Sequence, residues 1–404
     1  MNVAMCIPTY NRSKVVEDTL SRGIENYKKY GIDIYYYDGS TNDDTKKLVQ
    51  KYIDQGYTNI KYISESDPEK RHVLCFTGGG LEKEYDYVWP VKDRVWFEEP
   101  TLVKVMQAMQ EGHDAIFLGV LPCFSNPTVG TKVYTEPEEF YRDWGYLVTS
   151  LDVNIFKRET MISELTYDKV MSYSVAYTHF DIMFRGLNEK GRTVKALVED
   201  DIIAYNSKLI SSGWKKNAFS LWVDSWIDIN DKLPERYGDY KDIVIKQAGK
   251  LSWIFGSVES LIDFKEQGAF ENIDIEELSK KWSRVSNIRW DKVLAINNGT
   301  YDERHDIDRV PQDMDEFLGL IVKMAQLIKE GNFTKEQIPF NDVLLGAFNK
   351  AKAGCKNNIG CANIALGSLV DIIKFIQNDA KTTEEVTKAL QLIITIVMIS
   401  LPNN

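Results

Sequence analysis

Three short stretches hold residue types that could do chemistry, and each one closes an apolar run of strand length. Pro8-Thr9-Tyr10-Asn11-Arg12 closes the run Val3–Ile7. Thr9 could hydrogen-bond a base or a ribose, and Arg12 could reach a phosphate. A plain turn with a helix cap at Asn11 or Ser13 explains the same residues equally well. Asp38-Gly39-Ser40 closes Ile32–Tyr37. A carboxylate there could accept the imide N–H of a pyrimidine or a pair of ribose hydroxyls, and Gly39 permits a tight turn. An Asx-turn into the next helix is the equal alternative. Lys92-Asp93-Arg94 closes Tyr87–Val91, a short run apolar on both faces. A carboxylate flanked by two cations is suited to meeting something anionic.

The elements that must position these stretches alternate strictly. Strand-like runs at Val3–Ile7, Ile32–Tyr37, Ile60–Ile63, Tyr87–Val91 and Ala115–Leu118 are separated by helical patterns at Lys14–Tyr30, from Asn42 or Asp43 through Ile53, at Arg71–Leu81 (broken near Gly78-Gly79-Gly80) and at Pro100–Gln110. Val16, Leu20, Ile24 and Tyr27 share one helical face. Such alternation over about 120 residues predicts an α/β fold, a doubly wound, mostly parallel sheet. In that architecture ligands bind beyond the carboxyl ends of the strands, where strand order reverses. The three stretches should therefore converge on one crevice. Pro122–Tyr146 reads as a loop region, Leu147–Phe156 as a strand, Tyr173–Lys190 as a helix and Thr193–Leu197 as a strand.

Pro8-Thr9-Tyr10-Asn11-Arg12, followed by Asp38-Gly39-Ser40-Thr41-Asn42-Asp43-Asp44-Thr45 and then a short apolar strand with an acidic end, resembles the family 2 glycosyltransferases with the GT-A fold over roughly residues 1–215. Trp89-Pro90-Val91-Lys92-Asp93-Arg94 and Ser212-Gly213-Trp214 are similar to bacterial members that build surface polysaccharides or adhesin glycans. The resemblance implies a donor that is a nucleoside-diphosphate sugar, most often a UDP-sugar. Pro8, Thr9, Tyr10 and Arg12 would line the nucleoside pocket, Asp38 with Ser40 would hold the base, and Lys70 or Arg71 would stand near it. The family pattern at the third stretch is Asp-x-Asp, which binds Mg²⁺ or Mn²⁺ on the diphosphate. This chain has Lys92-Asp93-Arg94 instead, and three readings stay open. Asp93 ligates a divalent cation with outside help; Lys92 or Arg94 replaces the metal; or the site is dead and Asp93-Arg94 is a local ion pair.

Inverting transfer needs a base that deprotonates the acceptor hydroxyl. The resemblance implies an acidic motif opening a late helix, and Thr178-His179-Phe180-Asp181 stands there. Asp181 is the expected base, His179 its rival, and Glu199-Asp200-Asp201 a second acidic option. The acceptor would be a glycan, a lipid-linked glycan or a protein. Two other classes compete. A sugar-1-phosphate nucleotidyltransferase should open with a glycine-rich basic loop, which this chain lacks. A non-catalytic nucleotide-sugar-binding or scaffold protein draws support from the charge reversal at 92 and 94.

Composition fits this picture. The chain has 404 residues and a net charge of −11, so no global basic field draws nucleic acid and any anion must meet a local cluster. Five scattered cysteines argue against a disulfide framework and fit a reducing cytoplasm. The apolar stretch Ala389–Leu401 is too short to span a bilayer, which takes roughly 20 residues; a buried helix is favoured over a peripheral membrane contact. From Ser212 the chain becomes helical and rich in tryptophan, and Asn297–Asp313 reads as a linker. Three parts are expected: 1–215 as the nucleotide-sugar-binding domain, 216–300 as a helical extension, and 301–404 as a small all-α domain. The last would hold Phe317–Lys329, Asp342–Ala353, Cys361–Gln377 and Thr383–Ser400 and could pair with a second copy.

Overall fold

The computed structural model describes residues 1–77, 84–119, 130–161, 164, 166–173, 176–199, 201–209, 213–251, 253–301, 314–332, 334–335, 369–376 and 378–400. The chain divides into two compact units, Met1–Trp290 and Asp291–Asn404. The first unit opens with β1 (Val3–Thr9), α1 (Ser13–Lys29), β2 (Ile32–Asp38), α2 (Asp44–Asp54), β3 (Ile60–Ser64), α3 (Pro68–Thr77) and β4 (Tyr87–Pro90). It continues with β5 (Val95–Phe97), α4 (Glu99–Gln110), β6 (Ala115–Leu118), β7 (Lys132–Tyr134), α5 (Pro137–Trp144) and β8 (Asn154–Lys157). Next come α6 (Arg158–Met161), α7 (Tyr167–Ser172), α8 (Thr178–Gly186), β9 (Val194–Leu197) and β10 (Ala204–Asn206). Helices α9 (Trp226–Asp231), α10 (Lys241–Ala248), α11 (Val258–Glu266), α12 (Ile275–Val285) and the start of α13 (Trp290–Asn298) complete it.

Eight strands form one sheet in the order β3-β2-β1-β4-β8-β6-β9-β7. β3, β2, β1 and β4 are mutually parallel, and β6 and β9 run the same way; β8 and β7 are reversed. Six strands of eight share a direction, which is the expected mostly parallel, doubly wound α/β class followed by helices. Chain order runs outward from β1 through β2 to β3, then returns to β1's other side at β4. The reversal therefore falls between β1 and β4, and this is the switch point at which such sheets bind ligands. β1 is buried from Val3 to Cys6 and β4 along its whole length, as a strand covered on both faces requires. Val16, Leu20, Ile24 and Tyr27 of α1 are the buried face, as their spacing predicts.

Three expectations change. The loop expected over Pro122–Tyr146 contains β7 and α5, whose Phe140, Tyr141 and Trp144 are buried; residues 120–129 lie outside the described residues. The strand expected over Leu147–Phe156 is two short 3₁₀ turns, Gly145–Leu147 and Leu151–Val153, before β8 starts at Asn154. Of the helix expected over Tyr173–Lys190, the part that is helical among the described residues is α8, Thr178–Gly186.

In the second unit α14 (Met314–Lys329), helical residues 369–376 and α15 (Thr383–Ser400) share an apolar core containing Phe317, Ile321, Met324, Ile373, Leu390 and Ile393. Gly78-Gly79-Gly80, most of the expected linker, and Asp342–Ala353 lie outside the described residues. Among the described residues no helix is long and apolar enough to cross a membrane.

Candidate functional site

The ends of β1 and β2 are tied into one piece. Thr9 and Asp38 are register partners, and the Gly39 amide donates to the Thr9 carbonyl at 3.1 Å. Asn11 has φ 50, the only positive φ of a non-glycine among the described residues. Asparagine tolerates that conformation because its side chain bonds locally. Its amide donates to Ser40 Oγ at 2.8 Å, and its Oδ1 accepts from the Thr41 amide at 2.9 Å. Asn11 is therefore a cross-brace, and the N-cap position of α1 is Arg12, without a side-chain cap.

Asp38 is 1% exposed and already satisfied from within. Oδ1 accepts from the Ser40 amide (2.9 Å) and Ser40 Oγ (2.5 Å), and Oδ2 from Tyr62 Oη (2.9 Å). The Asx-turn alternative thus describes what Asp38 does here. Beside it, Arg71 reaches the Glu65 carbonyl at 3.3 Å and lies 5.7 Å from the ring centre of Tyr10, which is half exposed. A Cβ on Gly39 would sit 1.5 Å from Arg71 Nη1, so only glycine lets the guanidinium pass. Tyr10 and Arg71 offer an open planar platform at the edge of the switch point. Lys70 is paired with Glu65 at 2.9 Å.

The third stretch forms a turn after β4, closed by Val95 N–H to the Lys92 carbonyl at 3.0 Å. Asp93 is 4% exposed and faces back across the switch point. Its Oδ2 accepts from Thr9 Oγ1 at 2.9 Å, its Oδ1 from Arg12 at 3.2 Å, and its carbonyl from Thr19 Oγ1 at 3.0 Å. Lys92 turns the other way, to Ser150 Oγ at 2.7 Å and Asp152 Oδ1 at 2.9 Å. Trp89 Nε1 holds the Asp152 carbonyl at 2.9 Å, which fixes the 3₁₀ turn beside β4. Burial pushes the Asp152 carboxyl up, but Lys92 and, more weakly, Arg94 pull it below its ordinary value. The Arg94 carbonyl accepts from the Ser207 amide at 2.8 Å, but its guanidinium makes no hydrogen bond or ion pair among the described residues. Three cations thus meet two carboxylates, and the excess positive charge rests on Arg94.

These residues border a cavity of about 830 Å³, lined by Pro8, Arg12, Lys92, Asp93 and Arg94. Thr149, Ser150, Tyr177, Trp214, Trp222 and Trp253 line the same cavity. Ser150 and Asp152 were not singled out from the sequence, because that segment reads as a strand there and its turns escape the pattern.

A divalent cation fits poorly. Both Asp93 oxygens are engaged, Asp152 is neutralised by Lys92, and no group of three or more His, Cys, Asp or Glu able to hold a metal occurs among the described residues. The expectation of Asp93 as a metal ligand finds no supporting ligand set among the described residues, and the cations that flank it oppose a second positive charge.

Asp181 does not line the cavity. It is 3% exposed, and its Oδ1 accepts from Arg185 Nε at 2.8 Å, one helical turn on. His179, two residues earlier, is 5% exposed and stacked on Phe76, and its Nε2 has no hydrogen-bond partner. Burial lowers its pKa to about 4, against the pull of a backbone hydrogen bond to Thr149 and with the help of Lys92. Glu199 and Asp201 are both held by Lys104, and Asp200 lies outside the described residues. Pro8, Thr9, Arg12, Lys92, Asp93 and Arg94 are therefore brought together, Tyr10, Asp38, Ser40 and Arg71 form the adjoining edge, and Asp181 and His179 are not among the lining residues.

Residues 5–151, just over a third of the chain, match the family model described as Glycosyl transferase family 2. The sequence finds no match among curated proteins. Solved structures similar to this chain include S. aureus TarS 1-349 in complex with UDP-GlcNAc, at 12% identity and TM-score 0.45, covering 100% of this chain and 93% of that one. TarS 1-349 alone matches at 13% and 0.44, covering 74% and 91%. The mannosyltransferase PcManGT from Pyrobaculum calidifontis, in complex with GDP-Man and Mn2+, matches at 14% and 0.41, covering 74% and 86%.

Proposed function

We propose that this chain, which carries a Glycosyl transferase family 2 domain, is an inverting hexosyltransferase that uses a UDP-sugar. It delivers the sugar to a glycan, glycolipid or glycoprotein acceptor, in the manner of enzymes that build surface polysaccharides or adhesin glycans. The observation that carries the reading is Arg94, an unpartnered cation at the switch point of the sheet. It stands beside Arg12 and Lys92 and within the same cavity. In this reading the base and ribose lie on the Tyr10–Arg71 platform near Asp38 and Ser40, and the diphosphate lies against Arg94, Arg12 and Lys92. Fixed guanidinium and ammonium groups neutralise the leaving diphosphate by charge-assisted hydrogen bonds. Asp93 holds Arg12 and Thr9 in place.

The acceptor hydroxyl attacks the anomeric carbon as the bond from that carbon to the diphosphate oxygen breaks, and the hydroxyl proton passes to a base at the start of α8. Neither residue lines the cavity; Asp181 is tied to Arg185 whereas His179 keeps an Nε2 without a hydrogen-bond partner, so His179 is the favoured candidate. Incubation with UDP- and GDP-sugars, with and without EDTA, tests the proposal. A UDP-sugar is expected to raise the melting temperature and to release UDP in EDTA. No thermal shift with any nucleoside-diphosphate sugar overturns it. Transfer should survive Asp181→Asn and be lost in His179→Gln; the opposite result returns the base to Asp181.

A further inference from the structure

The cavity that the cations line is also lined by indole rings. Trp214, Trp222 and Trp253 pack edge to face in a closed triad. The ring centres are 6.2 Å apart for Trp214–Trp222 and Trp214–Trp253, and 5.8 Å for Trp222–Trp253, with interplanar angles of 74°, 77° and 81°. Trp222 is buried and also packs on Tyr177 and Trp226, and Trp214 packs on Phe264, so Trp253 is the exposed ring of the triad.

Two local structures hold the triad in the cavity wall. Trp253 is 40% exposed although its chain neighbours Ile254 and Phe255 are fully buried. The turn that achieves this brings the Ile254 and Gly256 amides onto the Leu251 carbonyl, each at 2.9 Å. A Cβ on Gly256 would lie 2.2 Å from the Lys250 carbonyl oxygen, so the turn requires glycine. Two buried anchors and a glycine thus hold one indole out of the core. Trp222 sits on a π-helical segment, Ser220–Ser225, which runs into α9. Such wide turns are rare and concentrate at functional sites. Tyr177, itself a lining residue, donates its hydroxyl to the Leu221 carbonyl at 3.1 Å and fixes that segment.

The occupant is constrained by both kinds of lining. An apolar ring face suits the C–H face of a pyranose, and the hydroxyls of Ser150 and Thr149, which line the same cavity, suit its polar rim. An acyl chain would gain nothing from the cations and hydroxyls that share the cavity. We infer that the Trp214–Trp222–Trp253 wall is a subsite for a pyranose ring of a glycan acceptor. The ring lies where its hydroxyl can face the sugar held at the diphosphate end. The word acceptor rests on the proposed function; the ligand chemistry does not.

The test is saturation-transfer NMR on the full chain with chitotetraose and maltotetraose as probes, in the wild type and in Trp253→Ala and Trp253→Phe. Trp253→Ala gives up two edge-to-face ring contacts and should lower the melting temperature modestly, Trp253→Phe by less, while both keep the thermal response to UDP-sugars. At least one oligosaccharide is expected to bind through its C–H protons. Binding should be roughly tenfold weaker in Trp253→Ala and nearer to normal in Trp253→Phe, which keeps a ring. Absence of binding to the wild type at millimolar oligosaccharide, or equal binding by Trp253→Ala, overturns the inference. Oligosaccharide binding without any response to UDP-sugars would remove the donor reading and leave this subsite standing.

Discussion

Replacing Asp93 by asparagine separates a clamp from a metal ligand. In the clamp reading the carboxylate joins β1 to the turn after β4 through Thr9 and Arg12. The amide oxygen of asparagine can still accept from Thr9 at one oxygen position, but the amide nitrogen then meets Arg12, donor against donor. The Thr19 bond is to the backbone and survives. A buried hydrogen bond to a charged group contributes about 1.5–3 kcal/mol. Arg12 is 42% exposed, so water compensates much of its share, which stands at about 0.2–1 kcal/mol. The expected loss is therefore roughly 1–2 kcal/mol, a fall in melting temperature of roughly 2–8 °C. Arg12, no longer held, should bind the diphosphate several-fold more weakly. The assay is thermal unfolding together with UDP release, each in EDTA and in Mn²⁺. A double-mutant cycle with Arg12→Met should give a coupling energy clearly above zero. The reasoning is refuted if Asp93→Asn unfolds at the wild-type temperature and abolishes a turnover that in the wild type depends on Mn²⁺.

Arg94→Met should leave stability within about 0.5 kcal/mol of wild type, since no hydrogen bond or ion pair is lost. It should weaken UDP-sugar binding by roughly 10–100-fold, read by calorimetry; unchanged affinity would remove Arg94 from the diphosphate site. Gly39→Ala drives a Cβ into Arg71, a flexible side chain that can swing off Tyr10. KM for the donor should rise with little change in melting temperature, and a large stability loss would instead mark the turn as the constraint. His179 carries a pH signature. Its folded pKa, about 4, lies below the ordinary 6.5, so the unfolded chain takes up the proton first. Its share of stability is present above pH 6.5 and is lost as pH falls toward 4, up to roughly 3 kcal/mol. Urea midpoints at pH 7 and pH 4.5 should differ less for His179→Gln than for wild type. As a base it stays neutral down to about pH 4, so the rate should not fall near pH 6.5; an inflection there would assign the base elsewhere.

What the sequence reveals of this site follows from how local each feature is. The alternation of buried strands and amphipathic helices is a local pattern, and it yields the parallel strands and the convergence of Thr9, Asp38 and Asp93 at one edge. The turns at Gly145–Leu147 and Leu151–Val153 are not periodic, so Ser150 and Asp152, which hold Lys92, stay invisible until β4 and β8 are paired. Asn11 shows the same limit. Its residue type suits a helix cap, but the partner its side chain finds is Thr41, 30 residues away. Asp181 was legible as an acid at the start of a helix. Its neutralisation by Arg185 at i+4 could be suspected from spacing alone, but its distance from the cavity depends on how α8 packs.

The charge balance of the third stretch bears on how such a site can work. Arg12 and Asp93 cancel, Lys92 and Asp152 cancel, and Arg94 is left over in a chain whose overall charge is −11. An Asp-x-Asp site is anionic until a divalent ion arrives, so its positive potential is borrowed with the metal. Here the positive potential is covalently fixed, half-buried and present before any ligand binds. A guanidinium cannot be deprotonated or chelated away, so diphosphate capture should be insensitive to EDTA yet weaken with ionic strength as exposed Arg12 is screened. The two paired carboxylates keep this potential from repelling itself apart. They leave one direction, from Arg94 into the cavity, in which an anion gains an interaction that no protein group already supplies.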